Sequence, residues 1–180
     1  YNKVPTQFLA EKDNALRLSR YPESFAWGTW RRAWESYCPE LDYAVSGGLE
    51  FCSRFTTSKF ASAVWKTNFK DATDEVISTW AYRWTASLWK NGLFCVSPNR
   101  NLVSYTGADS GTHTRTRPTW SELPIGDVFG LVASLPNEVK YDRGADAWLE
   151  RSAMRSSFLG SIRRQLESLG LRFLKRIRRG

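Results

Sequence analysis

Two short segments hold six of the nine tryptophans: W-G-T-W-R-R-A-W, from Trp27 to Trp34, and W-A-Y-R-W-T-A-S-L-W, from Trp80 to Trp89. No other feature constrains the fold as strongly. An indole is large, rigid and mostly apolar, so such a cluster either packs between elements or serves a flat ligand. Both segments have helical spacing. Trp30, Ala33, Trp34 and Tyr37 recur at i, i+3, i+4 and i+7, on a helix that Thr29 would cap and Pro39 would limit. Ile77, Trp80, Ala81, Trp84 and Leu88 form a second stripe, on a helix expected to begin at Asp74 and to close at Gly92.

The remaining pattern is mixed, which predicts an α/β fold. The length of 180 residues suits one domain with a real core. Leu16 to Ser19 alternates apolar and polar and reads as a short strand. Residues 41–57 are ambiguous. Thr57 or Ser58 would cap a helix with Phe60, Ala63, Val64 and Thr67 on one side. Leu93 to Val96 reads as a buried strand, and Leu102 to Tyr105 as a further short one. Thr106 to Thr119 is a loop, and Pro124 to Pro136 is irregular with short apolar pieces. A helix is expected from Asp142 to Arg155. Phe158, Ile162, Leu166, Leu169, Phe173 and Ile177 then mark a last amphipathic helix. The expected organisation is a globular part over 1–150 and a basic helix over 151–180.

Charge sharpens that division. Residues 151–180 carry nine Lys and Arg against Glu167 alone, a net +8, which is the net charge of the whole chain. The first 150 residues hold 17 basic and 17 acidic side chains. A neutral body argues against a nucleic-acid surface, which would interleave basic and stacking residues. The basic tail suits an anionic membrane surface, with Phe158 and Phe173 among its apolar anchors, ahead of a helix packed on its own domain with a solvated basic face and, third, of RNA binding. No apolar run approaches the roughly 18 residues that cross a bilayer. Cys38, Cys52 and Cys95 show no C-x-x-C spacing, so reduced thiols are expected rather than a disulfide framework or a zinc site.

Three places carry candidate chemistry. Trp27 and Gly28 precede the first tryptophan helix, where an indole face can stack on a sugar and a glycine permits close approach. Trp30 adjoins them, although core packing is the better reading for it and for Trp34, which share the helix's apolar face. Tyr82 and Arg83 flank the second stripe. The Arg83 fork matches a diphosphate, with a solvated surface arginine as an equal reading. The third place is A-D-S-G-T-H-T, from Ala108 to Thr114, with the only histidine, His113. Asp109, Thr112, Thr114 and Arg115 surround it with groups suited to phosphate or a metal.

These three segments, in this order, resemble the C-terminal half of a bacterial family of nucleotide-diphospho-sugar glycosyltransferases of GT-A type, some of them labelled haemolysin-related. The family shows W-G-W-x-T-W-R-x-x-W where this chain has the slightly shorter W-G-T-W-R-R-A-W, and an (A/G)-T-H-T element that Gly111 to Thr114 matches. The resemblance runs from about Ser19 to Asp146. It implies the C-terminal, acceptor-side portion of a GT-A-like fold, with the nucleotide-binding half and its D-x-D element upstream of Tyr1 and the fragment inactive alone. It also implies a divalent ion, Mn2+ or Mg2+, at the donor diphosphate, with His113 as a late ligand. The substrates would be a nucleotide sugar and an envelope glycan or lipid-linked acceptor, at the cytoplasmic face of the membrane. Where relatives carry an acid before the tyrosine, this chain has Ala81. Asp74 is then a weak candidate for the base, and a helix-end role is the plainer reading. The competing reading is a non-catalytic carbohydrate- or membrane-binding module.

Overall fold

The structure is a computed structural model that describes residues 2–11, 15–104, 123–133 and 135–152. It is mixed α/β, with one two-stranded sheet and several helices. The chain divides into two compact units, Tyr1–Tyr37 with Ser87–Asp146, and Cys38–Ala86 with Ala147–Gly180.

In the first unit, β1 (Leu16–Ser19) pairs antiparallel with β2 (Cys95–Pro98), from Leu16 opposite Pro98 to Ser19 opposite Cys95. The other edge of β1 meets Tyr141, through Leu18 N–H to the Lys140 carbonyl at 2.8 Å and Asp142 N–H to the Leu18 carbonyl at 3.1 Å. The second strand thus lies two residues beyond the expected Leu93–Val96. The four-residue match to β1 starts only at Cys95, because Gly92 and Leu93 still belong to the helix end. No strand forms over Leu102–Ser104, since the Asn101 side chain and backbone hold that stretch in a loop.

The buried side of β1 is polar. Arg17 and Ser19 are almost fully enclosed, while Leu16 and Leu18 are only partly covered. Arg17 donates from Nη1 to the Pro98 carbonyl at 2.8 Å and to Asn99 Oδ1 at 3.0 Å, and from Nη2 to Asn2 Oδ1 at 3.0 Å. Ser19 Oγ donates to Asp146 Oδ1 at 2.5 Å, and Arg20 N–H donates to its Oδ2 at 2.9 Å. A buried polar group stays cheap only while such partners are present. Asp142 Oδ1 accepts from Ala145 N–H at 2.9 Å and so caps the helix that occupies residues 143–152, here α6. Short helices α1 (Arg31–Trp34) and α5 (Val128–Ala133) also belong to this unit.

The second unit rests on two packed helices, α2 (Asp42–Ser53) and α3 (Lys59–Thr73). They resolve the ambiguous stretch as a helix kinked at Gly48, whose φ of 53° suits glycine. Ser58 caps α3 by accepting from Ala61 N–H at 3.1 Å. Ala61, Val64, Trp65, Phe69 and Ala72 form the buried face, and Phe60 is exposed. The stripe is thus rotated by about one residue from the expected one, because contact with α2 selects the Trp65–Phe69 side. Glu150 is buried and accepts from Thr57 N–H and Oγ1, both at 2.6 Å, and from Ser58 Oγ at 3.1 Å. It anchors the entry to α3.

The helix α4 (Trp80–Lys90) begins later than expected. Asp74 closes α3 instead, and Glu75 at φ 58° turns the chain out of helical geometry. Thr79 Oγ1 then accepts from Ala81 N–H at 3.2 Å. Gly92, at φ 65°, ends α4 as expected, with Leu93 N–H bonding back to the Leu88 carbonyl at 2.9 Å.

Candidate functional site

The first tryptophan segment does not form the expected helix. It holds a single turn, Arg31–Trp34, with Trp30 rather than Thr29 at its N-cap and no side-chain cap bond. One turn is too short to press an apolar stripe into a core. Trp27, Trp30 and Trp34 therefore stay 38%, 59% and 43% exposed, which corrects the expectation that Trp30 and Trp34 are core residues.

Their rings nevertheless have a defined arrangement. Trp34 lies flat on Tyr37, with centroids 4.8 Å apart and planes 2° from parallel. Trp27 leans on Trp34 at 6.2 Å and 40°. The Arg32 guanidinium sits 5.2 Å from the Trp30 ring centre, within cation–π range. An exposed apolar cluster rimmed by charged groups is the usual mark of a binding surface. Gly28 adds space: a Cβ built there would meet nothing within 4 Å. The left-handed residue of the preceding bend is Ala26, at φ 48°, so the backbone conformation does not call for a glycine at 28.

The second unit holds Asp74, Tyr82 and Arg83. Asp74 accepts from Lys70 Nζ at 2.7 Å in a solvent-exposed pair. Tyr82 meets Trp65 edge-on, with centroids 5.5 Å apart. Arg83 donates Nη2 to the Ala72 carbonyl at 2.9 Å and Nη1 to the Pro39 carbonyl. Its fork thus ties the end of α3 to the segment before α2. Trp84 is buried in the same unit, whereas Trp80, expected on the apolar stripe, is 43% exposed.

Asp109, Thr112, His113, Thr114 and Arg115 lie outside the described residues, as does the tail beyond 152. The structure thus brings together Trp27, Gly28 and Trp30 with Trp34 and Tyr37. It gathers no three His, Cys, Asp or Glu side chains among the described residues.

Two features escaped the sequence reading. One is Asp146, fully enclosed in the first unit, where burial pushes its carboxyl up to about 6 against the lowering effect of bonds from Ser19 and Arg20 N–H. A perturbed acid is a common mark of catalysis. This one is sealed and spends its oxygens on Ser19, Arg20 and Tyr141, so it holds the sheet rather than a substrate. The D-R-G-A-D spacing of Asp142 and Asp146, one helical turn, was its only trace in the sequence.

The other is a cavity of about 460 Å³ in the first unit, between the segment 2–7, Asn99–Asn101 and Leu123–Gly126. None of the aromatic-cluster residues lines it. Burial also pushes the Cys52 and Cys95 thiols up to about 12, which leaves them unreactive, and Cys38, Cys52 and Cys95 form no disulfide. No helix among the described residues is long and apolar enough to cross a membrane. Comparison of the chain with known protein families, with curated proteins and with solved structures finds no match.

Proposed function

We propose that this chain is the acceptor-side portion of a GT-A-like glycosyltransferase that passes sugar from a nucleotide sugar to an envelope glycan or glycolipid. The observation that carries the reading is the exposed Trp27–Trp30–Trp34–Tyr37 cluster beside the open space at Gly28. Folding does not require these rings at the surface, and the C–H face of a pyranose is the partner they fit. The family resemblance of the same segment turns sugar binding into sugar transfer.

In that reaction an acceptor hydroxyl attacks the anomeric carbon. The bond to the diphosphate oxygen breaks, the nucleoside diphosphate leaves, and a base takes the hydroxyl proton. Trp27 and Trp30 orient the sugar, with Gly28 leaving room for its edge. Asp74 remains the candidate base, and its ion pair with Lys70 opens readily because both groups face water. A divalent ion, Mn2+ or Mg2+, would neutralise the leaving diphosphate, with His113 among its ligands and Asp109, Thr112, Thr114 and Arg115 near the phosphates. Tyr82 and Arg83 belong to the substrate side in this reading. Arg83 would need to leave its two carbonyls to do so.

Membrane attachment at the cytoplasmic face is part of the proposal. It is supported by the charge of residues 151–180 and by the exposed apolar side chains Val128, Phe129 and Val132 on α5. A second reading, a carbohydrate-binding module without catalysis, is favoured by the engagement of Arg83 with main-chain carbonyls.

The experiment that separates them is release of nucleoside diphosphate from a panel of nucleotide sugars by the full-length gene product, with and without manganese. Manganese-dependent release that His113→Ala abolishes is the expected result. Binding of glycans without release from any donor would favour the module.

A further inference from the structure

Between residues 125 and 135 of the first unit, five large apolar side chains face water. Phe129 is 87% exposed, the most of any large apolar side chain among the described residues. Ile125, Val128, Val132 and Leu135 are each about half exposed. Val128, Phe129 and Val132 stand three and four positions apart and so share one face of α5. A local cap holds that face in place. Asp127 Oδ1 accepts from Phe129 N–H and Oδ2 from Gly130 N–H, each at 2.9 Å. Both oxygens of the one acid in this segment are thereby turned to the main chain.

Side chains this exposed contribute little to folding, so the cluster marks a contact surface. A stable protein interface takes about 20–30 residues a side, far more than five side chains on and beside one short helix supply. A bilayer asks for no matched shape. It takes apolar side chains into the boundary of headgroups and acyl chains, about 5–10 Å deep. Charge agrees with that partner. Arg100 packs on Gly126, where a Cβ would stand 3.0 Å from the Arg100 Cβ, and its side chain is exposed. It forms no ion pair among the described residues. The chain as a whole carries +8. Both features suit an anionic leaflet.

We propose that the segment 125–135 inserts into the interface of an anionic bilayer, with Phe129 deepest and Arg100 at the lipid phosphates. The inference rests on the membrane part of the proposed function and gives the first unit a lipid contact of its own, distinct from the basic tail.

The test is co-sedimentation of the full chain with vesicles of equimolar phosphatidylglycerol and phosphatidylcholine. It is run at low salt and at about 1 M, where the Debye length falls to about 3 Å. Attraction of the tail to the surface fades at high salt, whereas apolar insertion persists. The native chain should bind under both conditions. Phe129→Ser combined with Val132→Ser should weaken binding about tenfold or more at low salt and remove it at high salt. Arg172→Glu combined with Arg176→Glu should weaken it at low salt and spare it at high salt. Phe129→Trp keeps an interfacial aromatic and should bind as the native chain does, which separates insertion from a general loss of folding. Unchanged binding by the serine variant would overturn the inference and leave attachment to the tail. No binding by the native chain would overturn both. A native chain that is dimeric without vesicles, and monomeric with the serine substitutions, would assign the surface to a second copy instead and overturn the lipid contact.

Discussion

The two tryptophan-rich segments look alike as sequence and serve opposite ends. In α4, Trp84 and Trp89 are 3% and 0% exposed. Trp89 also donates Nε1–H to the Arg20 carbonyl at 2.8 Å and meets Tyr21 edge-on at 5.9 Å. Around α1, by contrast, three indoles stack on one another or on Tyr37 and Arg32 while keeping faces in water. The difference lies in helix length. Eleven residues of α4 give a face that can be buried, whereas four residues of α1 give none. A tryptophan count alone therefore says little about a binding surface. What matters is which indoles the secondary structure leaves uncovered.

The comparison breaks most sharply at Trp89. Replacing it with alanine should cost about 3–5 kcal/mol, because a large void forms and the Arg20 carbonyl loses its donor. Trp34→Ala should cost less than about 1 kcal/mol, since its ring is half in water. Urea unfolding of both variants measures the contrast, and equal losses would mean that the α1 cluster is core after all.

The polar side of β1 gives the next effect. An ordinary aspartate titrates near 3.9, roughly, and folded Asp146 at about 6. The folded state therefore holds the extra proton between those values. Its contribution to stability falls as pH rises from about 4 to about 6, by about 3 kcal/mol, and stays low above that. Asp146→Asn should flatten this part of the profile, and an unchanged slope would assign it to other groups.

Smaller effects sharpen the picture. Ser58→Ala should destabilise by about 1 kcal/mol through loss of the α3 cap. Gly28→Ala should change stability by less than about 0.5 kcal/mol, because its Cβ enters open space, while weakening glycan binding. Thermal unfolding set beside a glycan titration separates the two.

These contrasts also mark what the sequence discloses. The alternation of Leu16 to Ser19 locates β1, and Gly92 locates the end of α4, because both depend on neighbours in the chain. That Arg17 and Ser19 form the buried side of β1 depends on Asn99 and Asp146, 82 and 127 residues away. No local pattern carries that information. Asp74 and Glu75 look like first-turn acids of α4, yet they form the exit from α3. Trp27 and Gly28 stood out as a candidate ligand surface, but Trp30 and Trp34 read as core until the helix proved one turn long. The cavity was illegible, since its wall joins segments from three parts of the chain.

Sugar binding by the uncovered indoles is the expectation with the most consequences for function. Titration of oligosaccharides against the full chain and its Trp27→Ala variant, followed by calorimetry, tests it most directly. Saturable binding by the native chain, weakened about tenfold or more in a variant with unchanged unfolding, is the predicted result. No binding by the native chain, or equal binding by a folded Trp27→Ala variant, would contradict it.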